Sequence, residues 1–537
     1  MASPGGDAVV TRRVLRAGTD GLLVEVDDLD AALGLFAALR EQAPAGVREL
    51  VPAARTVLVR FDPDVLGTAG VAALAADLAE RPVATASATD GPLVEVGVCY
   101  DGEDLTDVAR LCGLSEAEVV RLHTATPWTV AFTGFAPGFA YLSGGGPRLD
   151  VPRRSEPRTR IPTGSVGLAG PFSGIYPRVS PGGWQLIGRT GLAMWDLERD
   201  EPALLAPGMR VRFVDAGPDA LGPPDALTGS AGPGGSVAHR PGRALEVVTP
   251  GALAVVEDLG RPDRAAQGVA RSGAVDRAAL RRANRLVGNE PGAAGIEVAA
   301  GGLRVRSHGD LVVAVTGAPA PLLLAGADEP DEPDEVPPDR ALALDDGAEL
   351  ALGTPERGMV SYLAVRGGVT GEPVLGSLST DVLSGTGPLP LGAGDVLGVG
   401  DPGAVDAVAD PEPGPPLPRA GDVTTVDVLL GPRDDWFSAS ALEDLLGQEW
   451  VVTPRSNRVG LRLAGDRALG RSRTEELPSE GTVPGSVQVP ANGQPVVFTA
   501  DHPVTGGYPV VAVVTRAHLG LVGQVPIGGR IRFRAVG

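Results

Sequence analysis

Residues 162–190, PTGSVGLAGPFSGIYPRVSPGGWQLIGRT, contain a Gly-Ser-Val turn followed by Gly-Gly-Trp and an apolar strand pattern. The same order returns near the end of the chain, where residues 484–514 are PGSVQVPANGQPVVFTADHPVTGGYPVVAVV. A segment that recurs within one chain is typical of a repeated structural unit. The echo therefore predicts a barrel-like β unit that is used more than once. Chance similarity among glycine-rich turns is the alternative.

The composition supports a mainly β protein of several domains. The 537 residues include 76 glycines and 50 prolines, and 43% are hydrophobic. Many turns between apolar segments favour β-rich domains over helical bundles. The net charge of −21 argues against a general binder of nucleic acids or anionic membranes, because both are polyanions.

The chain contains no lysine, so all 46 basic residues are arginine. This excludes a P-loop lysine, a Schiff-base lysine and covalent biotin on this chain. A phosphate or carboxylate must then be bound by guanidinium groups, backbone N–H groups or a metal.

Cysteine and histidine usage points to a reduced compartment without a metal site. Cys99 and Cys112 are the only cysteines, so no disulfide framework is implied. The sequence shows neither a signal peptide nor an uncharged apolar run of about 18 residues. We therefore expect a cytoplasmic protein. The five histidines are scattered and show no metal-ligand spacing, so no zinc site is predicted.

The pattern of apolar runs and turns divides the chain into four domains and two linkers. Residues 1–82 are predicted to form a small α/β domain of the split βαβ type, with helices at 30–41 and 69–80. The segments that follow are a β-rich domain at 83–215, a linker at 216–242, a β-rich domain at 243–409, a linker at 410–422 and a β-rich domain at 423–537.

A strip of positive charge stands out in the first half. Five arginines fall within residues 148–160, among prolines that exclude a helix: Arg148, Arg153, Arg154, Arg158 and Arg160. Guanidinium forks bind phosphate and carboxylate groups well. The part from Arg153 to Arg160, with the Gly-Ser-Val turn after it, is therefore the leading candidate for an anion site. Pairing with acidic side chains at a domain interface is the alternative.

Several polar residues of the second half are further candidates. His502 is the best-placed histidine for general acid–base chemistry, and the alternative is a structural histidine near a turn. Asp258 is a candidate catalytic carboxylate, and the alternative is an ion pair with Arg261. The three residues Arg455, Asn457 and Arg458 could hold a second anion or be surface charge.

Longer motifs carry a resemblance to a known family. The first half resembles the B-type component of prokaryotic 5-oxoprolinase, also called allophanate hydrolase subunit 1 or the sporulation kinase inhibitor Kip, through CYDGEDLTDVARLCGLSEAEVVRLH, FAPGFAYL and residues 152–190. The second half resembles the C-type component, a biotin-dependent carboxyltransferase-like family, through EDLGRPD, SGAVDRAALRRANRLVGNE, GSLSTD, PGSVQVPANGQP and TGGYPVVAVV. The resemblance implies cyclophilin-like β-barrels in tandem, one in the first half and two in the second.

The resemblance also implies a function. It predicts a fused B–C component of an ATP-dependent 5-oxoprolinase, which cleaves 5-oxoproline to glutamate together with a separate A-type component. Phosphorylation by ATP, with Mg²⁺ held largely by the phosphate oxygens, would activate the lactam. The candidate substrate- or ATP-binding residues are Arg153, Arg154, Arg158, Arg160, Ser165, Tyr176, Trp184, Arg455, Asn457, Arg458 and Gln488, and the candidate catalytic residues are His502, Asp258 and Tyr508.

Two other functions stay open. One is a carboxyltransferase component that acts on urea or a related amide, with biotin on another chain. The other is a non-catalytic regulator that binds a kinase. The chain departs from the family pattern at Phe172-Ser173, Glu257, Leu378 and residues 502–504, where polar family residues are replaced or altered, and this favours the regulator somewhat. Homo-oligomerisation is left open.

Overall fold

The computed structural model describes residues 12–80, 91–125, 127–154, 156, 158–217, 242–328, 332–473 and 475–537. Strands dominate these residues, and two of the sheets are barrel-like, so the mainly β prediction is confirmed. The predicted linker at 216–242 falls almost entirely on residues 218–241, which lie outside the described residues. No helix in the described part of the chain is long and apolar enough to span a membrane.

The N-terminal domain has the predicted split βαβ topology. Its four-stranded sheet has the order β1-β2-β4-β3, and both β2 and β3 pair antiparallel with β4. They are therefore parallel to each other, with α1 connecting them. The elements are β1 (Arg13–Arg16), β2 (Gly21–Glu25), α1 (Leu29–Glu41), β3 (Val47–Pro52), β4 (Thr56–Phe61) and α2 (Pro63–Glu80).

The second domain, here called the first barrel, is a seven-stranded sheet of order β12-β9-β10-β7-β6-β13-β5. A backbone bridge between Cys99 and Arg189, with hydrogen bonds of 2.8 and 2.9 Å, joins its two edges. The elements are β5 (Leu93–Val98), α3 (Leu105–Cys112), α4 (Glu116–Ala125), β6 (Trp128–Gly134), β7 (Ala136–Ser143), β8 (Arg158–Ile161), β9 (Ser165–Ala169), β10 (Phe172–Ile175), β11 (Ser180–Gly182), β12 (Gln185–Arg189) and β13 (Arg210–Asp215).

The third domain, here called the middle domain, packs a six-stranded sheet against a five-stranded one. A buried apolar core that includes Val247, Val256, Ile296 and Leu350 is drawn from both sheets. The elements are β14 (Ala244–Pro250), β15 (Leu253–Glu257), α5 (Arg277–Leu286), β16 (Gly295–Ala299), β17 (Leu303–His308), β18 (Leu311–Gly317), β19 (Leu322–Ala325), β20 (Asp334–Val336), β21 (Ala341–Leu344), β22 (Glu349–Leu352), β23 (Val360–Val365) and β24 (Val396–Gly398).

The fourth domain, here called the last barrel, is a closed barrel of order β25-β32-β29-β30-β27-β26-β33. The segment 410–422 that leads into it lies along the middle domain, where Gly358 N donates to Pro418 O at 2.8 Å. The elements are β25 (Val423–Leu430), α6 (Ala439–Gly447), β26 (Trp450–Val452), β27 (Gly460–Ala464), β28 (Glu480–Gly481), β29 (Ser486–Gln488), β30 (Val496–Phe498), β31 (Thr505–Gly506), β32 (Val510–Val514), α7 (Leu519–Gly523) and β33 (Arg530–Ala535).

The first and last barrels are copies of one design, as the echo predicts. The Gly-Ser-Val strand pairs with the apolar strand after Gly-Gly-aromatic in both, as β9 with β12 and as β29 with β32. The first and last strands of each barrel pair in parallel. A buried tryptophan after a helix also recurs: Trp128 donates to His123 O at 3.0 Å, and Trp450 donates to Leu445 O at 2.9 Å.

Candidate functional site

Two arginines of the predicted strip are neutralised inside the first barrel. Arg154 Nη1 lies 2.5 Å from Asp104 Oδ1, and Arg158 donates to both Asp104 oxygens at 2.8 and 2.9 Å. Arg158 also donates to Glu103 Oε2 at 3.0 Å, so two carboxylates face the two guanidiniums. Burial acts to raise the pKa of Asp104, but the hydrogen bonds from Arg158 and Leu186 N outweigh it and keep that pKa below its usual range. We therefore no longer place a substrate anion on these two arginines. Their partners also lie within the same barrel, and not across a domain interface.

The other predicted residues of the first half are divided between surface and core. Arg153 and Arg160 are exposed, and Ser165 is buried at the start of β9. Tyr176 and Trp184 belong to an aromatic cluster in which each ring centroid lies 5.3 Å from that of Phe139. Burial raises the pKa of Tyr176. These two rings are therefore packed, and their roles in substrate binding stay predictions.

Arg458 is the centre of a buried charge network that joins the middle domain to the last barrel. Its Nε lies 2.9 Å from Asp501 Oδ2, its Nη2 lies 3.0 Å from Glu257 Oε1, and its Nη1 pairs with Glu297. Burial, working against the charge of Arg458, raises the pKa of Glu257 well above its ordinary value. Arg458 is thus fully engaged by carboxylates of this chain.

The neighbours of Arg458 in the predicted anion motif do not share this environment. Arg455 and Asn457 are exposed, and the Asn457 side chain accepts a hydrogen bond of 3.0 Å from Val459 N. The three residues therefore do not converge on a common ligand in this conformation.

Asp258 holds a turn together. Its carboxylate accepts hydrogen bonds from Ser377 Oγ at 2.7 Å, Leu378 N at 2.8 Å and Ser379 Oγ at 2.6 Å. The expected ion pair with Arg261 is not formed, because the buried Arg261 guanidinium donates to the carbonyl oxygens of Val374 and Ser379. A carboxylate saturated in this way is poorly placed for proton transfer, so we assign Asp258 a positioning role.

His502 is buried in the last barrel and is held in one tautomer. Its Nδ1 lies 2.9 Å from Pro503 O, so the proton sits on Nδ1 and Nε2 keeps its lone pair. Burial lowers the pKa of His502 to about 4, so the ring is neutral near pH 7. His502 can therefore accept a hydrogen bond but cannot act as a cationic acid at that pH.

Tyr508 and Gln488 lie beside each other on the last barrel. Gln488 donates to the backbone oxygen of Tyr508 at 3.0 Å, and the Arg471 guanidinium covers the Tyr508 ring at 5.7 Å. Tyr508 is half exposed, so its hydroxyl is open to a partner or to solvent.

A small polar recess lies where the N-terminal domain, the middle domain and the last barrel meet, a junction here called the seam. The recess has a volume of about 20 Å³. Its polar lining consists of Glu49 and Arg60 from the N-terminal domain, Arg271 from the middle domain, and Thr482 and His502 from the last barrel. Of these residues, the sequence pointed only to His502. The others come from four separate segments, so no motif spacing could have joined them.

Arg154 and Arg158 of the predicted strip are occupied by carboxylates of this chain, whereas Arg153 and Arg160 are exposed, and their role in nucleotide binding stays a prediction. A larger cavity of about 250 Å³, lined mainly by α1 and β3, contains Arg48, whose guanidinium is paired with Asp62 at 2.8 Å. Within the described ranges, no group of three or more His, Cys, Asp or Glu side chains is arranged to hold a metal ion.

The two halves match the two parts of one family description. The family model for carboxyltransferase domain, subdomain A and B, matches residues 267–535. The model for carboxyltransferase domain, subdomain C and D, matches residues 12–205. Together they cover both sides of the predicted linker.

Curated relatives and a solved structure agree with this division. The chain is 35% identical to the C component of 5-oxoprolinase from Escherichia coli K12 over 292 residues, which are 54% of this chain and 90% of that protein. It is 53% identical to the B component of 5-oxoprolinase from Escherichia coli O157:H7 over 124 residues, which are 22% of this chain and 57% of that protein. The crystal structure of TTHA0988 is 35% identical, with a TM-score of 0.80, and the match covers 96% of this chain and 99% of that one.

Proposed function

Because this chain belongs to the carboxyltransferase-domain family, we propose that it is the fused B–C component of an ATP-dependent 5-oxoprolinase and works with a partner of the A type. One observation carries the proposal: relatives named as the C and B components of one enzyme match different halves of this single chain. A solved structure that matches nearly the whole chain supports the fusion as a stable arrangement.

The chemistry of the reaction explains why such a component is needed. A lactam is a poor electrophile with a poor leaving group, so its oxygen must be activated, and ATP is the activator in this proposal. Since Arg154 and Arg158 are occupied by carboxylates of this chain, we assign nucleotide binding to the A-type partner. This chain would then bind and orient the lactam, a task for which it offers fixed hydrogen-bonding groups.

His502 is the residue that we propose for contact with the reacting ring. Its free Nε2 accepts hydrogen bonds, and a lactam N–H donates one. Asp258 and Arg458 would act indirectly, by holding the loops around it. Tyr508 remains a proposed catalytic group on the surface of the last barrel.

Carboxyl transfer is the competing enzymatic function, and the family description itself favours it over a purely regulatory role. Since the chain has no lysine, biotin would have to arrive on another protein. The match of the first half to a B component of 5-oxoprolinase favours 5-oxoproline as the substrate.

Reconstitution tests the proposal. The chain is mixed with an A-type 5-oxoprolinase component, ATP, Mg²⁺ and 5-oxoproline, and glutamate is measured by chromatography. We expect glutamate only in the complete mixture, and none when this chain is left out. A parallel reaction with urea, bicarbonate and a biotinylated carrier protein measures carboxyl transfer. Carboxylation without glutamate release would contradict the proposal, as would inhibition of a kinase with neither activity.

A further inference from the structure

We propose that the seam recess binds the carboxylate group of a small substrate through Arg271, which lines it, assisted by the neighbouring charge of Arg277, while the rest of the substrate lies outside the recess. The geometry carries this inference, and the identification of the carboxylate as that of 5-oxoproline rests on the proposed function. The anion site is thus placed at the junction of three domains and not on the arginine strip of the first barrel.

The two guanidiniums are anchored but not neutralised. Arg271 Nε donates to Leu259 O at 3.3 Å, and Arg277 Nη2 donates to Ser272 O at 3.1 Å. Among the residues that the structure describes, neither forms an ion pair with a carboxylate. A guanidinium has five N–H donors, so each retains donors for a ligand.

A third guanidinium near the recess, that of Arg60, is paired with carboxylates. Arg60 pairs with Asp20 at 2.6 Å and with Glu49 at 3.5 Å. The charge of Asp263 also reaches Arg271, but that side chain is exposed. The described part of the seam thus contains the three guanidiniums of Arg60, Arg271 and Arg277 but only two carboxylates that are not exposed, those of Asp20 and Glu49. One positive charge is therefore left without a counter-charge at the seam.

Burial and like charge make this arrangement costly without a ligand. Burial, with the charges of Arg271 and Arg60 acting in the same direction, lowers the pKa of Arg277 to about 9. A bound anion would remove the repulsion among the guanidiniums. Uncompensated buried charge of this kind is concentrated at functional sites.

The loop that carries Arg271 and leads into α5, where Arg277 is the first residue, is held in place. Ser272, between Arg271 and Gly273, adopts a φ of 54°, a left-handed conformation that is uncommon for serine. Its hydroxyl is bonded to Thr380 O at 3.1 Å and to Asp501, the residue before His502. The anchoring fixes Arg271 and Arg277 relative to His502, as a binding site requires.

Size and charge select the class of ligand. A recess of about 20 Å³ has room for roughly one water-sized group, which one oxygen of a carboxylate matches and a nucleotide does not. The single uncompensated positive charge matches a monoanion better than a phosphate dianion. With the carboxylate in the recess, the lactam of 5-oxoproline would lie on the open side, near His502 Nε2.

Direct binding to the isolated full chain tests the inference without ATP or a partner. Calorimetry and thermal unfolding are measured with 5-oxoproline, with 2-pyrrolidone, which is the same lactam without its carboxylate, and with inorganic phosphate. The variants are Arg271→Gln, Arg277→Gln and Arg271→Lys. The control is Arg121→Gln, which removes one positive charge from an exposed position on α4.

We expect 5-oxoproline to bind the natural chain and the control equally, and 2-pyrrolidone and phosphate to bind far more weakly. Arg271→Gln should bind 5-oxoproline about ten- to hundredfold more weakly, because it loses a charge-assisted contact. Arg277→Gln should also bind it more weakly, because a nearby positive charge is lost. Arg271→Lys should retain part of the affinity, since a point charge replaces the fork only partly.

Three outcomes would overturn the inference: undiminished binding in both glutamine variants, equal binding of 2-pyrrolidone, or tighter binding of phosphate. The ligand-free variants must unfold as the natural chain does, and Arg271→Lys keeps the test valid if a glutamine variant does not. Failure of the proposed function would look different, since 5-oxoproline would still bind while reconstitution released no glutamate.

Discussion

Two groups of arginines in this chain have opposite surroundings. In the first barrel, Arg154 and Arg158 are paired with two carboxylates, the buried Asp104 and the exposed Glu103. At the seam, Arg271 and Arg277 donate only to backbone carbonyl oxygens in the described structure. The first group is neutralised by carboxylates, whereas the second, which lies near Arg60 of another domain, keeps one uncompensated positive charge.

The difference shows that an anion site depends on missing counter-charge more than on the number of arginines. Asp104 lies some fifty residues before the arginines that it neutralises. Arg458 has more counter-charge than either group, because three buried carboxylates surround it. The guanidiniums of this chain therefore range from Arg458, which has more carboxylates than its charge requires, to Arg271 and Arg277, which have none in the described structure. We expect a different response to substitution for each of these cases.

The largest effect is expected for Arg458→Ala. The change would leave Glu257, Glu297 and Asp501 buried without their shared cation, which costs about 3–5 kcal/mol of unfolding free energy. Urea unfolding of the full chain measures it. Arg455→Ala, three positions earlier on the surface, is the matched control and should change stability by less than about 0.5 kcal/mol. Equal stability of the two variants would contradict the account of the network.

Asp381 provides a pH-dependent comparison. Burial, followed by the charge of Asp501, raises the pKa of Asp381 to about 6, and its Oδ2 has no hydrogen-bond partner in the described structure. A carboxyl with a raised pKa contributes stability that is complete below its ordinary pKa near 4 and is lost as the pH rises through 6. Asp381→Asn should therefore be more stable than the natural chain above pH 6, by up to about 3 kcal/mol, and not below pH 4.

Melting temperatures from pH 4 to pH 7 test this prediction. The difference between Asp381→Asn and the natural chain should grow with pH. A constant difference across the range would mean that Asp381 is ionised throughout, and the raised pKa would then be wrong.

A smaller loss is expected for Asp104→Asn. The amide keeps the shape of the side chain but removes the charge that neutralises Arg154 and Arg158, at a cost of about 1.5–3 kcal/mol. Asp101→Asn is the control, because the pair of Asp101 with Arg189 is largely exposed and is worth about 0–1 kcal/mol. Thermal unfolding compares them. An effect of Asp104→Asn no larger than that of the control would show that the strip is not neutralised.

The smallest effect on the ligand-free protein is expected for Arg271→Gln. Removing one of three mutually repelling guanidiniums should leave stability unchanged or raise it slightly, by less than about 1 kcal/mol. The ligand-free melting temperature measures it. A clear loss of stability would instead mean that Arg271 has a structural partner, and the contrast with the strip would disappear.

Local sequence signals predicted much of the fold. The echo of Gly-Ser-Val and Gly-Gly-aromatic predicted the two related barrels, because turns and apolar strands depend on short stretches of sequence. The helix predicted at 30–41 corresponds to Leu29–Glu41, and the helix predicted at 69–80 lies within Pro63–Glu80. The split βαβ topology was also readable from the order of its elements.

The candidate site was much less predictable. Arginine density at 153–160 suggested an anion, but the counter-charge of Asp104 depends on a fold that brings α3 and β8 together. The seam joins Arg60, Arg271 and His502 from three domains, and no local pattern relates them. His502 was the one member with a signal, as a histidine before a glycine-rich turn, and its depressed pKa follows from burial that the sequence does not show.

The central claim is that counter-charge, and not arginine density, decides where an anion binds. Crystals of the chain soaked in bromide test it most directly, because anomalous scattering locates the ion at each arginine group independently of any activity. The account predicts a bromide peak in the seam recess beside Arg271 and no peak between Arg154 and Arg158. A peak on the strip with an empty seam would contradict it.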